Sequence, residues 1–571
     1  MYRKKRFILP LIIICILSLF LFLGETDFNT RGEPREALVA LSMLQDGNWV
    51  LPINSGVDMA YKPPFFHWAI ATVSTVVGEI NEYTSRMPSA LALTAMILMG
   101  YFFYSKRRGR EVAFMAALIT LTNFEVHRAG VNCRVDMVLT AFMVIALFLL
   151  YKWIERDLKG IPVFAILCLS GAALSKGPVG IVLPCLVPAV FLLIRGERFF
   201  RIFWHFLMVA VLSCVLPLLW YWAAYRQGGD AFLQLVLEEN VWRFMGKMTY
   251  ASHENPAYYN VIMLLAGFLP YTLLFVFSLF ALTYRKLTWT PRMWWQRFVV
   301  YIRTMDDARL YSLLSIVIIF VFYCIPKSKR SVYLLPVYPF IAYFLAEYLI
   351  YLRNRHLNTV RLFGTLMAIL SVVLVILFAG IRTGYIRPDM LPSAGVFIQA
   401  LADRQLTVGA VILILIPLYA VYRYFRVQKL NAADNGILYA MFGVIITVYM
   451  ALDGFYQPTI LNTKSDKPIA EHIRTIVPEG RFYSYRSDVV ENNRMHPFTV
   501  NFYLGDRIVP FDCFLPTEGY VLMGEEEVDT FRTRYPDYEL TDVYNTAHKS
   551  CDDHRINHLY YFKKTVAGEV R

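Results

Sequence analysis

About thirteen apolar runs, each of spanning or near-spanning length, constrain this chain more than any other feature. The hydrocarbon core of a bilayer is about 30 Å thick and takes roughly 20 helical residues to cross. The first run, Phe7–Leu23, follows the basic segment Met1–Arg6. Polar and acidic residues come next instead of a small-residue cleavage site, so it reads as an uncleaved first helix. The others lie at 86–105, 111–123, 134–152, 161–175, 177–195, 202–222, 260–284, 309–325, 331–351, 359–380, 407–425 and 433–452. Lipid offers no water to satisfy backbone groups, so such runs must be helical. The expected fold is therefore an all-α polytopic membrane bundle of about 13 transmembrane helices. Composition agrees: 57% apolar and 17% charged residues do not suit a soluble globular chain of 571 residues.

The formal charge of +13 would suit a nucleic-acid ligand if the cations formed one stripe. They lie instead in short clusters between apolar runs: Lys106–Arg110, Lys152–Lys159, Arg195–Arg201, Arg285–Arg309, Arg353–Arg361 and Arg423–Lys429. With the N-terminus in the cytoplasm, every cluster falls on a loop counted as cytoplasmic, as the positive-inside rule requires. An odd number of crossings then puts the tail outside. The expected division is a transmembrane domain at 1–452, with a long external loop at 24–85, and a soluble domain at 453–571. In the tail, Arg481–Tyr485 and Phe498–Leu504 look β-like and Pro468–Ile476 looks like an amphipathic helix, which predicts a small α/β C-terminal domain. The eight cysteines show no CxxC and no metal spacing. Cys513 and Cys551 are the only pair in the tail, and the spacing leaves open whether they form a disulfide.

The external loops hold the residues with chemistry. Glu33 and Arg35 open a helix expected to run through Met43, with Pro34 in its first turn. The plain alternative is a juxtamembrane helix whose charged end faces water. Lys62 precedes Pro63 and Pro64, which bias it toward an extended backbone. A rigidly held ammonium at the membrane surface suits a phosphate, although snorkelling is the commoner use of such a lysine. Asp136 starts an apolar helix, where it serves as an N-cap or as a functional group at the membrane mouth. Lys176, in the turn Ser175–Pro178, is forced close to the outer interface. Pro326–Arg330 places Lys327, Lys329 and Arg330 on the outside, against the charge rule, and a bound lipid phosphate would supply a reason. The 223–259 loop adds Arg243 and His253 but no HExxH spacing, so a metal or other cofactor stays unknown.

Taken together, GEPREALVALSMLQDGNWVLP, YKPPFFHW, SRMPSALA, RVDMVLTAF, LSKGPVGIVLP, HENPAYY and KSKRSVYLLPVYPFIA resemble one family over residues 31–345. It is the family of membrane glycosyltransferases typified by the lipid A aminoarabinose transferase and, more distantly, the protein O-mannosyltransferases. The resemblance implies a C-type glycosyltransferase bundle with its catalytic loop at 24–85. It also implies transfer of a sugar from an undecaprenyl (polyprenyl) phosphate donor to a lipid, glycan or protein acceptor, on the periplasmic side of a bacterial inner membrane. Lys62, Asp136, Lys176, Lys329 and His253 fall on family motif positions. The chain departs by having Gly32 where the family has an aspartate, Tyr61 where the aminoarabinose branch is often acidic, and HENP in place of a basic HK pattern.

These readings assign the donor phosphate to Lys62, Lys176, Lys329 and Arg330, because cations there stabilise the charge that grows on the leaving group. Glu33 and Asp136 are the candidate bases for a hydroxyl acceptor, and Arg35, Arg243 and His253 the candidate acceptor contacts. The rival class is a transporter or flippase for a lipid-linked or anionic substrate. Against it, the charges sit at outer loops and not at helix breaks in mid-membrane.

Overall fold

The computed structural model describes residues 7–238, 242, 254–256, 258–282, 290–430, 435–487 and 497–565. It opens with α1 (Ile8–Leu19), α2 (Gly32–Asp46) and α3 (Phe65–Val77), then α4 (Glu82–Arg107), α5 (Arg110–Thr122) and α6 (Phe124–Gly130). Next come α7 (Val135–Ile154), α8 (Val163–Lys176), α9 (Val179–Ile194) and α10 (Phe199–Leu237). Beyond these lie Tyr259–Gly267, Tyr271–Ala281, Asp307–Cys324, Tyr338–Arg355, Leu357–Arg382, Val408–Lys429 and Gly436–Ala451. Within the described residues every expected apolar run falls on helical segments, the run at 260–284 on two of them. Among the described residues, eight helices are long and apolar enough to span a membrane, or nine if a bent pair is one span. The count of thirteen is not fixed by length, because α8 and α9 have 14 and 16 residues. At 1.5 Å per residue they rise only about 21 and 24 Å.

The run at 260–284 is the bent pair, whose halves meet at 96°. Pro270 heads the second half and cannot continue the first half's hydrogen bonding. The Leu269 carbonyl freed at the corner accepts the Phe124 N–H at 2.9 Å. Helices in lipid gain little from apolar contact alone, so close packing and hydrogen bonds must hold them. Tyr104 stacks on Tyr343 at 4.3 Å, and the Tyr311 hydroxyl donates to the Leu147 carbonyl at 2.8 Å. Four of the six basic clusters are tied together at one end of the bundle, by Arg107–Glu155, Arg108–Asp306, Arg195–Asp307 and Arg201–Asp157.

The C-terminal sheet has five strands in the order Ile508–Pro510, Phe482–Ser484, Glu518–Gly524, Ile556–Lys564, Tyr538–Lys549. The first two pairings are parallel and the last two antiparallel. Helix Lys467–Ile476 matches expectation, but Phe498–Tyr503 is a helix where a strand was expected. Its side chains are spent on tertiary contacts: Phe502 meets Phe28 at 5.0 Å, and the Asn501 amide donates to Ser55 Oγ at 3.2 Å. Tertiary contact overrides strand propensity there. The sheet region is seated on the 24–85 segment, with Lys467 to Asp27 at 2.8 Å and the Tyr503 hydroxyl donating to Glu82 at 2.6 Å. The last span does not stop at 452, since a π-turn at Leu452–Tyr456 carries it on to Leu461. Among the described residues no disulfide joins Cys513 to Cys551.

Candidate active site

Helices α7 and α8 are antiparallel neighbours, so the first turn of one meets the last turn of the other. That brings together Asp136 and Lys176, 40 residues apart, as an ion pair. Asp136 is buried, while about a third of the Lys176 side chain stays accessible. The Lys176 ammonium also lies over the Tyr333 ring, 4.6 Å from its centre. Arg134 and Arg330 stand within Coulombic reach of Asp136. The turn between α8 and α9 depends on Gly177, whose φ of +88° a side chain would resist. Asp136 does not cap α7: the N-cap is Arg134 and no side chain fills that role.

Lys329 is buried, and its ammonium donates to the carbonyls of Pro326 at 2.6 Å and Asn255 at 3.2 Å. Glu254 bridges to Ser328, and Asn255 N–H donates to the Lys327 carbonyl. The HENP and KSKR stretches, far apart in sequence, are thus strapped together. Arg243 and His253 lie outside the described residues.

Glu33 and Arg35 do open a helix, α2, but they face different partners. Buried Glu33 is held by both oxygens to Arg86, at 2.9 and 3.0 Å, and accepts the Cys133 N–H at 2.8 Å. Burial alone would raise its carboxyl, but Arg86 outweighs that and holds it below the usual range. Arg35 pairs with Glu36 at 2.7 Å, and His67 Nε2 reaches the other Glu36 oxygen at 2.9 Å. Against the effect of burial, Arg35, His67 and Lys62 hold Glu36 well below the usual carboxylate range. Lys62 therefore sits in the field of Glu36, with its ammonium 6.0 Å from the Tyr61 ring. Pro64 caps α3, and Phe65 packs edge-on to Phe142 of α7 at 4.9 Å. The KPP segment is thereby fastened to the helix that carries Asp136.

Glu36, His67, Arg86 and Tyr333 are not among the expected site residues. All four lie inside the motif stretches, but Glu36 meets His67 31 residues away and Arg86 meets Glu33 53 away, and Tyr333 meets Lys176 of another helix. Among the described residues no group of three or more His, Cys, Asp or Glu could hold a metal ion.

Residues 61–222 match the family described as dolichyl-phosphate-mannose-protein mannosyltransferase. A structure of ArnT from Cupriavidus metallidurans bound to undecaprenyl phosphate superposes with a TM-score of 0.70 at 18% identity, covering 99% of both chains. The resemblance read from the motifs holds. The fold is the ArnT fold. An undecaprenyl phosphate-alpha-4-amino-4-deoxy-L-arabinose arabinosyl transferase of Shewanella sediminis is 23% identical over 65% of this chain and 65% of its own length. An uncharacterized protein of Aquifex aeolicus is 29% identical over 60% of this chain. The match spans 64% of that relative, so the chain covers just under two thirds of the length of both.

Proposed function

We propose that this chain is an inner-membrane glycosyltransferase that moves a sugar from an undecaprenyl (polyprenyl) phosphate to an acceptor on the periplasmic side. The observation that carries this is the Asp136–Lys176 pair beside Arg330, at the mouth of the bundle where the motif loops converge. The similar Shewanella protein is named for an undecaprenyl-phosphate donor, and the similar Cupriavidus structure holds undecaprenyl phosphate. A lipid A-like lipid is the acceptor that the motif resemblance favours.

In the reaction an acceptor oxygen attacks the anomeric carbon as the bond to the phosphate oxygen breaks. The electron pair leaves on the lipid phosphate, and direct displacement inverts the carbon. Lys62, Lys176 and Arg330 act on that growing charge, which stabilises the transition state more than the ground state. Lys329 adds its charge from a fixed position, since two carbonyls pin it. A hydroxyl acceptor gives its proton to Asp136. Glu33, with both oxygens on Arg86, holds the loop in place instead. A phosphate acceptor is already ionised and needs only orientation.

Equilibrium binding of fluorescent undecaprenyl phosphate to the purified protein tests the reading. Wild type should bind, and Lys62→Ala and Lys176→Ala should each weaken binding at least several-fold. Absent binding, or binding indifferent to both changes, would contradict it.

A further inference from the structure

A cavity of about 260 Å³ lies between the C-terminal end of α1 and the α6–α7 connection, and neither Lys62 nor the Asp136–Lys176 pair lines it. One wall is apolar, formed by Leu19, Phe22 and Leu23, and the opposite wall carries Arg86, Arg128 and Arg134. Two of these arginines are already neutralised. Arg86 is matched by Glu33 and by the carbonyls of Leu23 and Thr26, and Arg128 by Glu125 at 2.8 Å. The cavity's other carboxylate, Asp453, is held by His127 at 2.6 Å and Gln457 at 3.1 Å. The Arg134 guanidinium has no ion pair and no hydrogen bond among the described residues. Glu33 and Asp136 lie within Coulombic reach of it without pairing with it, so its N–H donors are left for a ligand at the cavity wall.

Gly32 points the same way. A Cβ at this position would overlap the Arg134 guanidinium, and no left-handed backbone requires glycine there. The missing side chain leaves room for that cation at the cavity wall. Asp453, for its part, is presented by a π-turn, a distortion frequent at functional sites.

We propose that this cavity is a second anion site, which seats the phosphoryl head group of a membrane lipid. Arg134 is the main contact, since a guanidinium fork matches phosphate oxygens. Arg128 stands at the rim, and Asp453 accepts from a head-group hydroxyl. Leu19, Phe22 and Leu23 lie against the first apolar part of the lipid, and exposed Leu17 on α1 and Leu21 just past its end continue that path. The proposal concerns binding and does not depend on sugar transfer.

Binding is measured on the purified full chain in neutral detergent, with short-chain phosphatidic acid, matched phosphatidylcholine and inorganic phosphate as probes. Phosphatidic acid should bind and raise the unfolding temperature, and phosphatidylcholine should not. Arg134→Gln should weaken phosphatidic acid at least 10-fold. Gly32→Ala, which displaces the guanidinium without touching the core, should weaken it several-fold, while Arg532→Gln, at an exposed position of the sheet region, should keep wild-type affinity. Undiminished binding by both Arg134→Gln and Gly32→Ala, or an equal loss of binding in Arg532→Gln, would overturn the site. Inorganic phosphate binding as tightly as phosphatidic acid, with the same dependence on Arg134, would overturn the lipid as its occupant.

Discussion

Lys62 and Lys176 carry the same charge in different settings. Lys176 is tied to Asp136 and Tyr333, whereas Lys62 sits at the start of α3 near Glu36. Lys62→Ala should lower turnover about 100–1,000-fold, the cost of losing one preorganised donor to a developing oxyanion. Lys62→Arg should recover only part of it, because a planar fork does not replace a compact ammonium. Steady-state kinetics decides, and near-normal turnover in Lys62→Ala would make the residue a snorkelling lysine. The two carboxylates separate by a different readout. Glu33→Ala strands the buried Arg86 and should cost about 3–5 kcal/mol of stability, seen as a lower unfolding temperature in detergent. Because Glu33 is held below its ordinary pKa, its contribution is present at neutral pH and fades as pH falls through that lowered value. Asp136→Asn should instead spare most of the stability, collapse activity and, for a hydroxyl acceptor, flatten the acidic limb of the pH–rate profile. The cap role read for Asp136 from sequence failed because its oxygen goes to a lysine on another helix, which no local pattern reveals.

At the level of elements, hydropathy located each long helix, because the signal for a span lies wholly within its own residues. What it missed depends on distant partners. Phe498–Tyr503 took its conformation from the surface it covers, whereas α3 begins after Pro63 and Pro64, residues suited to start a helix. The Glu33–Arg86 and His127–Asp453 pairs join positions 53 and 326 residues apart. The motifs did mark the segments that converge, though not which of their side chains meet. Asp552 shows the same dependence, accepting from the Thr499 N–H and hydroxyl at 2.8 Å each. Burial pushes its carboxyl up to about 7. Between about 3.9, the usual aspartate value, and about 7, the folded state holds a proton that the unfolded chain releases. Stability from this group therefore falls as pH rises through that window and is level above it. Thermal unfolding at pH 5 to 8 should show wild type losing more stability from pH 5 to 7 than Asp552→Asn. Equal slopes would remove Asp552 as the titrating group.

For the whole molecule, the account needs the site loops and the sheet region on the same, external side. Four of the basic clusters are linked at one end, and the Asp136–Lys176 pair joins helix ends remote from them in the chain. In a cysteine-depleted background, Asp46→Cys and Glu479→Cys, both at exposed positions, should react with an impermeant reagent in intact spheroplasts. Protection of the second would break the topology.

The central claim is that this bundle cleaves a sugar from a lipid phosphate, where a flippase would move the lipid intact. The most direct measurement is release of free polyprenyl phosphate from a polyprenyl-phosphate sugar by the purified protein, supplied with a lipid A-like acceptor. The account predicts release matched by sugar on the acceptor, and loss of both in Asp136→Asn and Lys62→Ala. Translocation of the donor with its glycosidic bond unbroken would contradict it.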